Sequence, residues 1–511
     1  MTIVRVSPWA HRRLDTLLAY TPQDRPLPSR RRIVDRHLEI EIAEERCCLY
    51  GILDIPGFGQ PWVFADNQGQ GFGPDDSPID FALEALRTRI RRVQERVDLD
   101  TLLSLPELNG IERRLDHARE HLASATDPAQ RSLIAKDSAV FDGLCEAMWA
   151  GEELVLAQSR LRIAQRGQRG DFLLGSVLKG FPQGGEAFRS RIKDLFRYAT
   201  VPLTWGVIEP ERGHPHYPVI DEMVSWCQAN GIGIKGHALT WDSRWEWNAW
   251  QRGLSHQESL RLKAERARDI LTRYPGAFDA MELINEPVQA NPFGWTVDQI
   301  LEQTLAVYQV CRELAPDMRL MISFFSEWEQ FYAQSSALPP DPSRLISMRQ
   351  FLDRCLEAGI QFDLIGLQIH YDWDLFEVER MIRGWHRDYA VPIHITEIAV
   401  PSTCELLLPE ILSRHPRLDQ AWHAPWSETT QADWLEQYLT LYHSMPEVEA
   451  AVIWGISDAR LWAEYLEGYP NEAYSLPWLA TQGILRADHS PKPAYQRLLS
   501  LARRWELIPE A

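Results

Sequence analysis

Residues 231–287 read GIGIKGHALTWDSRWEWNAWQRGLSHQESLRLKAERARDILTRYPGAFDAMELINEP, and this stretch decides the fold class. GIGIKGHALTW (231–241) is an apolar run of buried-strand length, and AMELINEP (280–287) is another. Between them, ESLRLKAERARDILTRY (258–274) spaces its apolar residues three and four apart with charges between, the pattern of an amphipathic helix. A strand covered on both faces reads as continuous apolar text. The unit is therefore strand, helix, strand.

The same period continues in both directions. Upstream lie FLLGSV (172–177) and YATVPLTW (198–205). Downstream lie MRLMISFF (318–325), FDLIGLQIHY (362–371), PIHITEIAV (392–400) and AAVIWGISD (450–458). Helical segments such as EAFRSRIKDLFR, PVIDEMVSWCQAN and SMRQFLDRCLEAG separate these runs. Eight buried strands alternating with helices predict an α/β fold, a (β/α)8 TIM barrel over residues 171–505. A doubly wound open sheet is the alternative, but no GxGxxG or GxxxxGK[ST] follows any of the runs.

The first part of the chain reads differently. From Arg32 to about Phe72, HLEIEI, CCLYGILDI and PWVFA are strand-like, divided by EE and PGFG. After PDDSP come helical stretches, ending with SAVFDGLCEAMWAGEELVLAQSRLRIAQR before RGQRGD. Residues 1–140 are expected to form a smaller accessory domain of strands and helices, and 141–170 a helical bridge. The role of the accessory domain stays open between carbohydrate binding, oligomerisation and bracing the barrel; the Arg- and Glu-rich helical bridge reads as a solvated face.

With 53 basic and 72 acidic residues the formal charge is 53 − 72 = −19, which argues against nucleic acid or an anionic membrane as partner. No apolar run reaches the roughly 18 residues of a membrane helix. The N-terminus, MTIVRVSPWAHRRLDTLLAYTPQ, lacks an apolar region followed by a small-residue cleavage site. A cytoplasmic protein is the expectation, and a secreted one if a leader was removed. Seven dispersed cysteines (Cys47, Cys48, Cys145, Cys227, Cys311, Cys355, Cys404) without a CxxC pair read as reduced thiols. Metal, nucleotide and flavin signatures are absent, so no cofactor and no metal ligand is expected.

In a barrel, the C-terminal ends of the strands carry the chemistry. Here those ends are polar and aromatic: His237 to Trp241 and Asp242, Asn285-Glu286-Pro287, Gln368-Ile-His370-Tyr371, Thr396-Glu397, and Trp454 to Asp458. A single Glu after an apolar run is most simply a structural salt bridge. Two of them, on the fourth and seventh strands and sharing a rim with His, Gln and Trp, point instead to an acid and a nucleophile flanking a glycosidic bond. One must stay protonated and the other ionised, which burial and mutual repulsion can arrange. Most of the 20 tryptophans are expected in packing; those at strand ends can stack on the apolar C–H faces of a sugar.

GHALTW, INEP, IGLQIHY, ITEIAVP, VIWGISD followed by Trp462, and SPKPAYQ occur in one order. On these motifs residues 171–500 resemble glycoside hydrolase family 10, the retaining endo-β-1,4-xylanases. The N-terminal part is similar to the accessory region of some bacterial, planctomycete-type members. The resemblance implies Glu286 as acid/base, Glu397 as nucleophile, and Asn285 as partner of the sugar 2-hydroxyl. It implies that His370 contacts the nucleophile, that Gln368 lines the same subsite, and that His237 and Trp241 surround the −1 sugar. Trp454 and Trp462 would wall the glycone side. For His237 and Gln368 the competing reading is a packing residue of the barrel interior.

The sequence departs from the family at several points. The family's second strand ends in Glu-Asn-Glu-Met-Lys-Trp, whose Glu, Asn and Lys grip the −2 xylose. Here the stretch is Thr200-Val201-Pro202-Leu203-Thr204-Trp205, leaving the Trp and a following Glu209-Pro210. Asp242 stands in place of a His, and SFFSEWE replaces the strand-five motif. The Pro401 to Trp426 loop, with Trp422, His423 and Trp426, is long enough to cap a pocket. Each lost hydrogen bond forfeits about 1 kcal/mol, so the expected substrates are xylo-oligosaccharides or other small β-glycosides rather than polymeric xylan. A transglycosidase using the same carboxylates, and a catalytically silent carbohydrate-binding protein, are the alternatives.

Overall fold

The computed structural model describes residues 2–7, 17–99, 106–167, 169–243, 250–288, 291, 293–325, 346–370, 374–403, 422–458 and 481–509. The chain forms two units. The first holds strands β1 (Thr2–Val6), β2 (Leu18–Tyr20), β3 (Pro26–Leu27), β4 (Ser29–Val34), β5 (His37–Ile42), β6 (Cys48–Ile52) and β7 (Trp62–Ala65). They make two antiparallel sheets, β1-β5-β4 and β3-β2-β6-β7. Helices α1 (Phe81–Leu99), α2 (Leu108–Thr126) and α3 (Leu133–Arg166) complete it.

Strand structure begins thirty residues before the Arg32 start expected from sequence. The edge strand β4, SRRRIV, turns its three arginines to solvent, and a charged edge strand carries little apolar alternation to read. Arg5 and Arg32 both bind the buried Glu39, at 2.9 and 2.7 Å. The aromatic rings of the second sheet, Tyr20, Tyr50, Trp62 and Phe64, are all buried, and Tyr50 stacks on Trp62 at 5.0 Å. The stretch read as a helical bridge lies largely inside α3, one continuous helix capped by Ser132, and the first unit runs to Gly167.

Two later pieces, within 374–384 and 422–425, also belong to the first unit. Asp374 takes a two-pronged bond from Arg89 at 2.6 and 2.9 Å. His423 bonds Glu152 at 2.7 Å and lies against Phe58, Trp149 and Trp422. Of the long loop expected to cap a pocket, 404–421 lies outside the described residues, and its described end packs Trp422 and His423 within this unit.

The second unit is a closed parallel barrel of β8 (Leu173–Val177), β9 (Tyr198–Pro202), β10 (Gly233–His237), β11 (Ala280–Asn285), β12 (Arg319–Phe325), β13 (Leu364–His370), β14 (Ile393–Ala399) and β15 (Val448–Ile453). These are the eight runs read from sequence. Closure comes from pairing β15 with β8, Ala450 opposite Leu173. Helices such as His256–Arg273, begun by a Ser255–Glu258 capping box, separate the strands. Among the described residues no helix is long and apolar enough to cross a membrane, and no group of three metal-binding side chains occurs. Cys47, Cys48, Cys145, Cys227, Cys311 and Cys355 are free thiols.

Candidate active site

Strand pairing alone decides which side chains share the barrel mouth. In β11 and β12 the register steps from Glu282↔Met321 to Ile284↔Ile322 and Asn285↔Ser323, so one extra residue, Leu283, sits in β11. In β13 and β14 it steps from Leu367↔Ile395 to Gln368↔Glu397, leaving Thr396 extra. A one-residue shift flips every later side chain to the other face, and such bulges re-aim residues beside active sites. Asn285 thereby joins the face of Glu282 and Ser323. Thr396 also faces Ser323, their hydroxyls 3.0 Å apart, while Glu397 pairs beside Gln368. Gly366 makes this packing possible, because a Cβ there would lie 2.8 Å from the Ser323 side chain.

Glu286 follows the end of β11 with φ +48°, a left-handed backbone that costs a non-glycine residue about 1–3 kcal/mol and is held only by its surroundings. Its N–H donates to the Ser323 carbonyl at 2.8 Å. Its carboxylate accepts from Trp241 Nε1 at 3.0 Å and also bonds Gln368. Burial, reinforced by the charge of Glu397, pushes the Glu286 carboxyl up to about 8. Glu397 is 6% exposed, and His370 Nε2 stands 3.5 Å from its Oε2. Gln368 Nε2 donates to Asn285 Oδ1 at 3.0 Å, while Asn285 Nδ2 is buried without a hydrogen-bond partner. A buried donor of that kind is costly unless something else fills it.

Behind this rim His237 Nδ1 and the Lys235 ammonium both bind the Glu282 carboxylate. Burial would raise Glu282, but His237 and Lys235 outweigh it and hold the carboxyl at about 2. Trp454 meets the His237 ring edge-on at 4.9 Å, and its N–H donates to Ile398 O, next to the nucleophile position, at 2.9 Å. Lys179 Nζ lies 4.0 Å from the centroid of the Trp454 ring. The structure thus brings together Asn285, Glu286, Trp241, Gln368, His370, Glu397, His237 and Trp454; Trp462 lies outside the described residues.

The profile of glycosyl hydrolase family 10 matches residues 200–501. The chain belongs to that family. Among curated relatives, endo-1,4-beta-xylanase 2 of Arabidopsis thaliana is 23% identical over 66% of this chain and 28% of its own length. A thermostable celloxylanase of Thermoclostridium stercorarium is 23% identical over 58% of this chain and 76% of its own. The chain thus spans under a third of the length of the plant relative. Among solved structures, native xylanase 10B of Thermotoga maritima aligns at TM-score 0.48 and 17% identity, over 66% of this chain and 97% of that one.

Of the positions that depart from that family's motifs, residues 326–329 lie outside the described residues, and those at the β9 end and Asp242 serve structure. Asp242 ion-pairs with the buried Lys263 ammonium at 2.5 Å. Trp205 is buried and donates its indole N–H to Glu209 at 2.8 Å, so the two surviving residues hold each other. Val201 and Leu203 are fully buried. Sequence reasoning missed Glu282, hidden inside an apolar strand, and Lys179. The latter stands two residues past a strand end, which was the available signal.

Proposed function

We propose that the chain hydrolyses β-glycosidic bonds with retention, Glu286 as acid/base and Glu397 as nucleophile, acting on xylo-oligosaccharides or other small β-glycosides rather than polymeric xylan. The observation that carries the reading is the placement of two carboxyl groups at one barrel mouth: Glu286 is buried and pushed up to about 8, with the charge of Glu397 as one cause, and His370 Nε2 stands 3.5 Å from Glu397 Oε2. A protonated acid beside an ionised carboxylate is what the first displacement needs.

In that step Glu286 gives its proton to the leaving oxygen as the Glu397 carboxylate bonds the anomeric carbon. Forming the ester consumes the Glu397 charge, and with it one of the causes that keep Glu286 protonated. Glu286, now an anion of lowered basicity threshold, takes a proton from water, which attacks the same carbon and frees Glu397. The orphaned Nδ2 of Asn285 supports a bond to the sugar 2-hydroxyl, strongest in the oxocarbenium-like state. Retention calls for a carboxyl separation of about 5–5.5 Å.

The absence of charged side chains from the Thr200–Thr204 stretch supports small substrates, and the xylanase relatives favour xylose at the cleavage site. Side-by-side assays of aryl β-xylosides, aryl β-glucosides and xylan test the reading. Aryl glycosides or short oligosaccharides should be preferred; xylan as the clearly best substrate refutes the narrowing. Glu397→Ala should abolish turnover and leave sugar affinity largely intact, and unchanged turnover refutes its role.

A further inference from the structure

We propose that the hydroxyl pair of Ser323 and Thr396 is the positioning device of this site, fixing where the nucleophile stands relative to the acid. The inference rests on the glycosidase reading above and adds to it two residues that act through their neighbours. Glu397 follows a break in its own ladder. The register skips Thr396 on both sides, from Ile395 to Glu397 against β13 and from Ile395 to Ile398 against β15. A residue dropped from the ladder loses the pairing that fixes its neighbours in a strand, and a slip of one residue here would turn Glu397 to the other face. The Thr396 side chain supplies the missing tie. Its Oγ1 meets Ser323 Oγ at 3.0 Å, and both residues are fully buried.

Ser323 is tied to the acid as well. It lies opposite Asn285 in β11, and its carbonyl accepts the Glu286 N–H at 2.8 Å. One residue of β12 therefore holds the acid through its backbone and the residue before the nucleophile through its side chain, across the intervening β13. The span is open because β13 places Gly366 opposite Ser323, where a Cβ would lie 2.8 Å from the Ser323 Cβ and Oγ. The β11 bulge has fastenings of its own: Thr240 Oγ1 donates to the Leu283 carbonyl at 2.8 Å, and the Thr240 carbonyl accepts the Asn285 N–H at 2.9 Å. Each carboxyl group is thus anchored at its bulge, and Ser323 joins the two anchors. It opens SFFSEWE, the stretch that departs from the family's strand-five motif.

The test compares Thr396→Val, which keeps the shape and loses the hydroxyl, with Thr396→Ser, which keeps the hydroxyl and loses the methyl. Ser323→Ala and the double variant Ser323→Ala/Thr396→Val complete the set, assayed on phenyl β-xyloside and phenyl β-glucoside, whose leaving oxygen needs the acid's proton. A misplacement of about 1 Å costs about a hundredfold, so Thr396→Val and Ser323→Ala should each lower kcat about ten- to a hundredfold with KM within about threefold. Thr396→Ser should restore most of the loss. The double variant should lose no more than the worse single one, because both changes remove the same link. The alkaline limb of kcat/KM, set by Glu286, should move to lower pH in Thr396→Val, since the Glu397 charge helps to hold that proton. A loss in Thr396→Ser equal to that in Thr396→Val would mark packing alone and overturn the proposal. Losses that multiply in the double variant would also overturn it, as would an alkaline limb that stays in place. Ser323→Ala carries the same comparison should Thr396→Val not fold. A wild type inert on both substrates overturns the glycosidase reading and this role with it, a result distinct from an active wild type with indifferent variants.

Discussion

Replacing Glu397 by Gln removes a charge but keeps the shape, and the response of Glu286 measures how the site divides its work. The Glu286 carboxyl is lifted from 4.5 to about 8 by burial first, the Glu397 charge second and, least, the charge of Glu282. At a carboxyl separation near 5 Å and an effective dielectric of about 20, the repulsion is about 3 kcal/mol, roughly two pH units at 1.36 kcal/mol each. Burial is the larger cause, and the hydrogen bonds from Trp241 and Gln368 pull the other way, so burial and charge together exceed the net rise. Glu286 in Glu397→Gln should therefore drop by about one to two pH units and remain above an ordinary carboxyl. Carboxyl 13C resonances of the labelled protein, assigned by difference against Glu286→Gln, read this directly. A Glu286 that does not move would mean the carboxylates do not share a site. A fall to the ordinary value would mean burial is not the larger cause. Either result refutes the reasoning.

The same shift sets a pH dependence. Glu286 has a raised folded-state pKa, so its contribution to stability is whole below about 4.5 and is lost as pH rises toward about 8. Glu286→Gln should accordingly raise Tm more at pH 8 than at pH 4.5, by differential scanning calorimetry, and wild-type kcat/KM should fall above about pH 8 as the acid ionises. Lys235→Met leaves Glu282 buried and half-paired; unfolding in urea should show a loss of about 3–5 kcal/mol, partly recovered in Lys235→Met/Glu282→Leu. Arg89→Met strands Asp374, a carboxyl that burial raises to about 6 even with Arg89 beside it; a similar loss is expected, smaller at pH 5 than at pH 8 because protonating Asp374 relieves it. His423 is the opposite case: burial lowers it, but Glu152 and the Phe58 carbonyl raise it overall. The stability of that pair is present below the ordinary histidine pKa and lost as pH rises through the higher folded value, so His423→Phe should flatten the wild type's decline in Tm above neutral pH.

The sequence alone determined the barrel, its eight strands and the two carboxylates at strand ends. Both signals are local: continuous apolar runs mark strands covered on two faces, and a Glu closing such a run is visible without knowing its neighbours. It also exposed the altered β9 end, since missing polar side chains can be read letter by letter. It did not reveal the first strands, whose charged edge hides the alternation, nor Glu282, which lies mid-strand among apolar residues. Tertiary structure decided everything that depends on pairing between distant segments. The extra residues Leu283 and Thr396 exist only relative to the neighbouring strands, and they set which side chains face inward. Likewise, Lys179 reaches Trp454 only because β15 closes onto β8, bringing together residues that lie more than half the chain apart.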